Sequence, residues 1–163
     1  MSTANIKGIM LDFDGVILES NWIKANAFRT LFSDYPEHGD RIERLHFEHG
    51  GMSRFEKLEI IHRDFLKKPL APREAQQLSA KFMSLVDGHI MTCPFVPGAE
   101  EFIRRYSTQY ELFIISGTPQ DELRDQMRRR GINHYFRSIF GAPRKKPELV
   151  KGILTRNHWS PGH

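Results

Sequence analysis

The pattern of apolar and polar positions predicts short buried strands that alternate with helices. Residues 6–12 and Tyr110–Ser116 form two nearly continuous apolar runs, typical of strands buried on both faces of a parallel sheet. Tyr135–Gly141 is predicted to be a third strand. Segments around Phe102 and after Pro147 have apolar residues at helical spacing. The pattern therefore predicts an α/β fold with a parallel sheet.

A long helical stretch interrupts this alternation between the first two strands. From about residue 21 to residue 90, apolar residues recur at helical spacing. Breaks fall at Tyr35-Pro36, at His49-Gly50-Gly51 and between Lys68 and Pro72. We predict a core domain formed by residues 1–19 and 92–163, into which residues 20–91 are inserted as a small helical bundle.

Composition narrows the class of protein. The chain has 163 residues, of which 39% are hydrophobic and 27% are charged with both signs interspersed, so we expect a folded globular protein. A single cysteine, Cys93, excludes an intrachain disulfide and fits a reducing compartment. The N-terminal residues lack the features of a signal peptide, and no apolar run approaches the roughly 20 residues that span a bilayer. We expect a cytoplasmic protein with no membrane partner.

The net charge of +4 raises the question of nucleic acid binding. The densest basic cluster consists of Arg124, Arg128, Arg129 and Arg130. No aromatic residues or glycines are interleaved with these arginines, and they fall on the polar side of a predicted helix. We interpret the cluster as a solvated helix face and expect no nucleic acid partner.

Candidate chemistry begins where the first predicted strand ends. Asp12 and Asp14 are two positions apart, so on a strand their carboxylates point to the same side, and Gly15 permits a sharp turn beyond them. Such a pair suits an oxygen-ligated Mg²⁺ together with nucleophilic or acid–base work. The alternative is that two aspartates simply end a strand at a turn, and the motif alone does not decide between these interpretations.

A second candidate follows the second strand, in Ser116-Gly117-Thr118-Pro119. A hydroxyl group and free backbone N–H groups before a helix form a ready phosphate site. Thr118 is predicted to be the helix N-cap, with Asp121 three residues further on. Ser116 lies before the cap, at the end of the strand where open α/β sheets bind ligands, which favours a functional role.

A third candidate is the cationic loop Arg144-Lys145-Lys146, which leads from the third strand to the last helix. A lysine just ahead of that helix can act as a point charge on a phosphate held by the other two strand ends. Each cation taken alone is explained equally well as a surface residue of a loop.

The ordered set DFDGV, SGTP and a lysine before the sequence PEL resembles the haloacid dehalogenase superfamily of phosphoryl-transfer enzymes. The similarity runs through the whole chain. The resemblance implies a Rossmann-like core. The helices inserted between the first two motifs resemble the α-helical cap of phosphoglycolate phosphatase and β-phosphoglucomutase. The expected reaction is hydrolysis of a small phosphorylated metabolite with Mg²⁺ as the cofactor.

The resemblance also implies roles for matching residues. Asp12 is expected to attack the phosphoryl group, and Asp14 to protonate the leaving oxygen and then activate water. Asp12 and the Asp14 carbonyl are the expected Mg²⁺ ligands. The negative charge on the transferring phosphoryl group is expected to be stabilised by Ser116, the Gly117 amide and Lys146, with Thr118 beside them as a further phosphate-binding residue. Lys146 is preferred to Lys145 because the superfamily's lysine commonly stands directly before the proline.

In the predicted cap, Ser53 and Arg54 stand in a Gly-x-Ser-Arg sequence. This sequence resembles a β-phosphoglucomutase motif whose arginine grips the substrate's non-reacting phosphate. Ser53 and Glu56 also form a capping-box pattern, which makes Arg54 the start of a helix, and both interpretations stay open. Lys24 stands where the mutases carry a hinge histidine, so a plain hydrolase is favoured over a mutase.

One departure from the superfamily concerns its fourth motif, an acidic pair of the form GDxxxD. The chain reaches His163 where the strand before that motif is expected. We expect either a fragment of a longer enzyme or a natural truncation, with weak or no turnover by this chain. A catalytically incomplete binding or regulatory protein is the alternative. The first strand would then lie at an edge of the sheet, where it can pair with another chain in a dimer or an aggregate.

Overall fold

The computed structural model describes residues 6–160, and it contains three parallel strands and seven α-helices in that part of the chain. The α/β fold with a parallel sheet is confirmed. The strands are β1 (Gly8–Leu11), β2 (Glu111–Pro119) and β3 (Ser138–Ala142), arranged in the order β1-β2-β3. Helix α5 (Ala99–Tyr106) precedes β2, α6 (Gln120–Arg129) joins β2 to β3, and α7 (Lys146–Asn157) follows β3.

Four further helices lie between β1 and β2, as the helical spacing predicts. They are α1 (Asn21–Leu31), α2 (Gly39–Glu48), α3 (Arg54–Ile60) and α4 (Pro72–Thr92). Short 3₁₀ turns cover Pro36–His38 and Asn133–Tyr135, and a π-helical segment, Ile61–Leu66, continues α3. In the described part of the chain, no helix is both long enough and apolar enough to cross a bilayer.

The chain divides into two compact units. One holds the residues up to Leu18 together with those from Phe95 onward, and we call it the α/β unit. The other, Glu19–Pro94, is the helical unit. These units are defined by how compactly their residues pack. The predicted boundaries concern domains with separate roles, and they stay a prediction.

The core of the α/β unit forms between the sheet and α7. Phe113 and Ile115 of β2 pack with Leu149 and Ile153 of α7. Trp159, which follows α7, lies edge-on to Phe113 with ring centroids 6.0 Å apart. Because neighbouring strand residues point to opposite faces, the buried residues between them in the sequence belong to the other face of the sheet. Burial on both faces explains why the strand sequences are almost entirely apolar.

The face of β1 beside α7 depends on a glycine. Gly8 lies directly against the ring of Trp159, and a Cβ at this position would overlap that ring. The helical unit contains the other tryptophan, Trp22, whose ring centroid lies 4.6 Å from that of Phe47 and which is 61% exposed. The two tryptophans of the chain therefore occupy different units and different environments.

In the helical unit, aromatic side chains link the helices. The rings of Phe28 on α1 and Phe82 on α4 have centroids 4.7 Å apart, and both side chains are buried. Arg29 on α1 donates to Asp40 and Glu43 at 3.1 and 2.9 Å, which ties α1 to α2 across the surface. The Glu43 and Asp40 carboxylates raise the pKa of Arg29.

The end of β2 departs from a regular ladder. Ile115 pairs with Phe140, and the next pair is Pro119 with Ala142, so β2 advances four residues while β3 advances two. The extra residues form a bulge, which contains Ser116 and its neighbours. Bulges re-aim side chains at the ends of strands, and this bulge falls at the carboxyl edge of the sheet.

Candidate active site

The first strand places two aspartates at the carboxyl edge of the sheet. Asp12 directly follows β1, and its Oδ1 accepts a 2.7 Å hydrogen bond from the N–H of Phe13. Gly15 has φ of 70°, a left-handed conformation that glycine adopts without steric cost. The N–H of Ile17 donates to the carbonyl of Phe13 at 2.9 Å, which closes the turn. The turn expected at Gly15 is confirmed, and it fixes the loop that carries Asp14.

Lys146 reaches Asp12 from the opposite end of the chain. It is the first residue of α7, and its Nζ forms an ion pair with Oδ2 of Asp12. The two side chains are 26% and 27% exposed, so a ligand can reach both groups. Lys145 is exposed and precedes the helix. The structure therefore brings Lys146 to the Asp12 carboxylate, and the role of this lysine stays a prediction.

The prediction that Thr118 caps the following helix is wrong. β2 extends through Pro119, and α6 begins at Gln120 without a side-chain cap. The Thr118 hydroxyl donates instead to Oδ2 of Asp14 at 3.0 Å. Thr118 is 4% exposed, and its hydroxyl gains more by donating to a carboxylate than by accepting from a backbone N–H, because hydrogen bonds to ionised groups are stronger.

Ser116 lies in the same bulge and is 1% exposed. Its Oγ accepts a 3.1 Å hydrogen bond from the N–H of Thr118. A hydroxyl that accepts such a bond still has its own hydrogen to donate. Gly117 lies between the two and is half-buried. The structure thus places Ser116, Gly117 and Thr118 on one short segment, and that segment contacts Asp14 through Thr118.

Gln120 is a residue of this region that sequence reasoning missed. Its Nε2 donates to the carbonyl of Ile139 at 2.9 Å, and its Oε1 accepts from the N–H of Gly141 at 2.8 Å. At Gly141, a Cβ would lie 2.8 Å from the Cα of Gln120 and would also overlap the carbonyl of Thr118. A single glutamine at the start of a helix carries no motif that signals this contact. The pairing depends on the bulge in β2.

The structure places Ser53 and Arg54 in the helical unit. The capping box is confirmed, because Ser53 and Glu56 exchange side-chain and backbone hydrogen bonds at the start of α3. Arg54 is 6% exposed, donates to the carbonyl and Oγ of Ser79 at 3.1 and 2.9 Å, and stacks on Phe82 at 4.3 Å. These contacts support a structural role at the helix start, and the anion-binding role of Arg54 stays a prediction.

The oxygen atoms at the carboxyl edge of the sheet are of the chemical type that binds Mg²⁺. The Asp12 carboxylate and the Asp14 carbonyl are hard oxygen donors, which Mg²⁺ prefers. Among residues 6–160, no group of three or more His, Cys, Asp or Glu side chains is placed to hold a metal ion. If Asp12 and the Asp14 carbonyl held Mg²⁺, water would have to complete an octahedral shell.

The basic face of α6 is an ion-paired surface. Arg128 and Arg129 donate to Asp125 at 2.6 and 3.2 Å. The two guanidinium groups, Arg128 above all, hold the pKa of the Asp125 carboxyl below its usual range. This arrangement supports the interpretation of the cluster as a solvated helix face.

Comparisons with known proteins agree with this fold. The chain matches the sequence model of haloacid dehalogenase-like hydrolases over residues 9–162. No curated protein sequence matches it significantly.

Among solved structures, a predicted phosphoglycolate phosphatase from Haemophilus somnus 129PT has a TM-score of 0.72 at 18% identity, over 99% of this chain and 75% of that one. A protein from Bacteroides vulgatus, provisionally assigned as a β-phosphoglucomutase, has a TM-score of 0.74 at 16% identity, over 99% and 67%. Bacillus subtilis YfnB, provisionally assigned as a HAD hydrolase and solved with magnesium bound, has a TM-score of 0.62 at 22% identity, over 93% and 74%.

The structural likenesses establish the fold alone, since all three identities are low. The family model spans nearly the whole chain. It includes the loop with Asp12 and Asp14, the bulge with Ser116, and the lysine that reaches Asp12. This chain therefore belongs to the haloacid dehalogenase-like hydrolase family, with helices inserted between its first and second strands.

Proposed function

We propose that this chain transfers the phosphoryl group of a small phosphorylated metabolite to Asp12 and then to water. The observation that carries the proposal is the pairing of Lys146 with Asp12 beside the Asp14–Thr118 hydrogen bond. Nucleophile, acid and cation then lie at the carboxyl edge of one sheet, where open α/β folds bind ligands.

In the proposed first step, an Oδ atom of Asp12 attacks phosphorus, and the bond between phosphorus and the ester oxygen breaks. The ester oxygen leaves with the proton of the Asp14 carboxyl group. In the second step, Asp14 takes a proton from water, the resulting hydroxide attacks the phospho-aspartate, and Asp12 is released with inorganic phosphate. One group thus serves as acid and then as base, which returns the site to its starting state.

Three groups are proposed to stabilise negative charge on the transferring phosphoryl. Lys146 supplies a full positive charge, the Gly117 amide supplies a backbone donor, and Ser116 donates its hydroxyl hydrogen. Phosphoryl transfer needs positioning and charge stabilisation above all, and preorganised donors supply both. Thr118 holds Asp14 in place through its hydroxyl.

Asp12 and the carbonyl of Asp14 are the residues that would hold Mg²⁺. When bound, the ion would neutralise charge on the phosphate oxygens. Because no group of three or more His, Cys, Asp or Glu side chains among residues 6–160 is placed to hold a metal ion, we expect weak metal affinity and therefore slow turnover by this chain. Arg54 and Ser53 are kept as a proposed site for a distal anion on the substrate, and the contacts of Arg54 with Ser79 favour the structural alternative.

The test combines turnover with detection of the phospho-enzyme. The chain is incubated with p-nitrophenyl phosphate over a range of Mg²⁺ concentrations, and mass spectrometry locates any bound phosphoryl group. We expect phosphorylation of Asp12 that requires Mg²⁺, slow release of nitrophenolate, and loss of both in Asp12→Asn. Asp121→Asn is the control, because it removes an exposed carboxylate from the same unit. Phosphate binding without transfer to Asp12 would favour the binding or regulatory alternative.

A further inference from the structure

The bulge in β2 leaves the ends of β2 and β3 without a regular ladder, and Gln120 bridges them. The carbonyl of Ile139 and the N–H of Gly141 both bond to its side-chain amide. A primary amide offers a donor and an acceptor side by side, as the N–H and C=O of a single strand residue do. Gln120 therefore supplies to β3 the pair of hydrogen bonds that a regular strand residue would supply.

This bridge lies between the two parts of the candidate active site. On one side, Gln120 directly follows the segment that carries Ser116 and Thr118. On the other side, β3 ends at Ala142, and three residues lead from it to Lys146 at the start of α7. A link this short transmits a shift of the strand end to the lysine.

The packing at Gly141 shows that the contact is tight. A Cβ here would meet the backbone of Gln120 at 2.8 and 2.9 Å, closer than side chains approach backbone. Gln120 is half-buried, which shields both of its hydrogen bonds from competing water. The ends of β2 and β3 are therefore closely packed at Gly141.

We propose that Gln120 is a positioning residue that sets the location of Lys146 relative to Asp12 and Ser116. The catalytic value of this positioning rests on the proposed function. The placement of Lys146 itself does not, since it can be measured without turnover. Packing of Leu149 and Ile153 on the sheet also holds α7. Without the hydrogen bonds of Gln120, this packing would leave the first residue of α7 loosely placed.

The test compares Gln120→Met with Gln126→Met. Each substitution keeps the length of the side chain and removes an amide from α6. Gln126 is 1% exposed, and its side-chain amide donates to Glu122 on its own helix at 3.4 Å and not to a strand end. Hydrogen exchange at the Gly141 N–H checks that Gln120→Met has removed the bridge.

The first measurement is trace acetylation of lysines by acetic anhydride, quantified by mass spectrometry. Lys145 is the internal reference, because it is exposed and adjacent. We expect Gln120→Met to raise the labelling of Lys146 relative to Lys145 severalfold, since the ion pair with Asp12 loosens, and Gln126→Met to leave the ratio unchanged. An unchanged ratio in Gln120→Met, or an equal rise in both variants, would overturn the inference.

The second measurement is the affinity for inorganic phosphate by calorimetry in the presence of Mg²⁺. We expect Gln120→Met to weaken phosphate binding about fivefold, because a displaced Lys146 ammonium no longer interacts fully with the bound anion. Gln126→Met should bind phosphate with nearly the affinity of the parent chain. If the parent chain binds no phosphate while the acetylation ratio still rises, the proposed function fails and the positioning role of Gln120 stands. If the parent binds phosphate and Gln120→Met binds it equally well, the positioning role fails.

Discussion

The hydroxyl of Thr118 donates to Oδ2 of Asp14 at 3.0 Å, across 104 residues of sequence. This contact joins the turn after β1 to the bulge of β2, and Thr118 is buried. A carboxyl group that accepts such a bond has one of its oxygens held in a fixed orientation. The contact therefore gives Thr118 a role that its position before a helix does not suggest.

We predict that Thr118→Val slows phosphoryl transfer from alkyl phosphates by about tenfold, because general acid catalysis by a misoriented group is less effective. Transfer from p-nitrophenyl phosphate should change much less, since nitrophenolate leaves without protonation. The measurement is the rate of Asp12 phosphorylation under single-turnover conditions. Thr108→Val is the control, because the Thr108 hydroxyl lies on the exposed surface and donates to the carbonyl of Arg105. Equal slowing with both classes of donor would contradict a role through Asp14.

Arg54 allows its two proposed roles to be separated. We predict that Arg54→Ala lowers the free energy of unfolding by about 2 kcal/mol, because it removes buried hydrogen bonds and the stacking on Phe82. Arg41→Ala should cost under about 1 kcal/mol, since Arg41 stacks on Phe65 at 4.3 Å but is exposed. Urea denaturation of both variants measures the difference.

If Arg54 also binds an anion of the substrate, Arg54→Ala would raise KM for a doubly anionic metabolite and spare a generic aryl phosphate. Equal changes in KM for the two substrates would contradict the anion-binding role and leave only the structural role. A loss of stability no greater than that of Arg41→Ala would contradict the structural role.

Gly141 and Gly152 give opposite predictions for the same substitution. Gly141→Ala should destabilise the chain by about 1–3 kcal/mol, because its Cβ meets backbone atoms of Gln120 that cannot move independently. Gly152→Ala should stabilise it by about 1 kcal/mol, because nothing lies within 4 Å of the added Cβ in α7 and alanine favours a helix. Thermal unfolding of the two variants tests both signs. A neutral Gly141→Ala would mean that the ends of β2 and β3 are looser than described.

The edge of the sheet at β1 leads to a prediction about association. In the part of the chain that the structure describes, β1 pairs with β2 on one side and has no strand on the other. Backbone N–H and C=O groups on such an edge can pair with another chain. We predict that the 163-residue polypeptide associates with itself as its concentration rises, as measured by light scattering. A monomer that persists at high concentration would contradict the prediction.

The sequence was sufficient for the architecture because burial leaves a clear pattern. Strands covered on both faces are almost purely apolar, and helices show their spacing, so the α/β order and the helical insert were predictable. The closeness of Asp12 and Lys146 was predictable for a related reason, since parallel strands bring their carboxyl ends to one edge. The long reach of β2 through Pro119 was not, because a bulge depends on pairing with β3 rather than on local propensity. Thr118 and Gln120 were misjudged or missed for that same reason.

The ring of Trp159 against Gly8 and the exposed ring of Trp22 have a practical consequence. With two tryptophans in the chain, each compact unit contains its own fluorophore, and the two differ in their access to water. A quencher dissolved in the solvent should reach Trp22 readily, whereas the emission of Trp159 reports on the seam between β1 and α7. Replacing either tryptophan by phenylalanine would yield a single-emitter protein, in which the melting of one unit can be followed apart from the other.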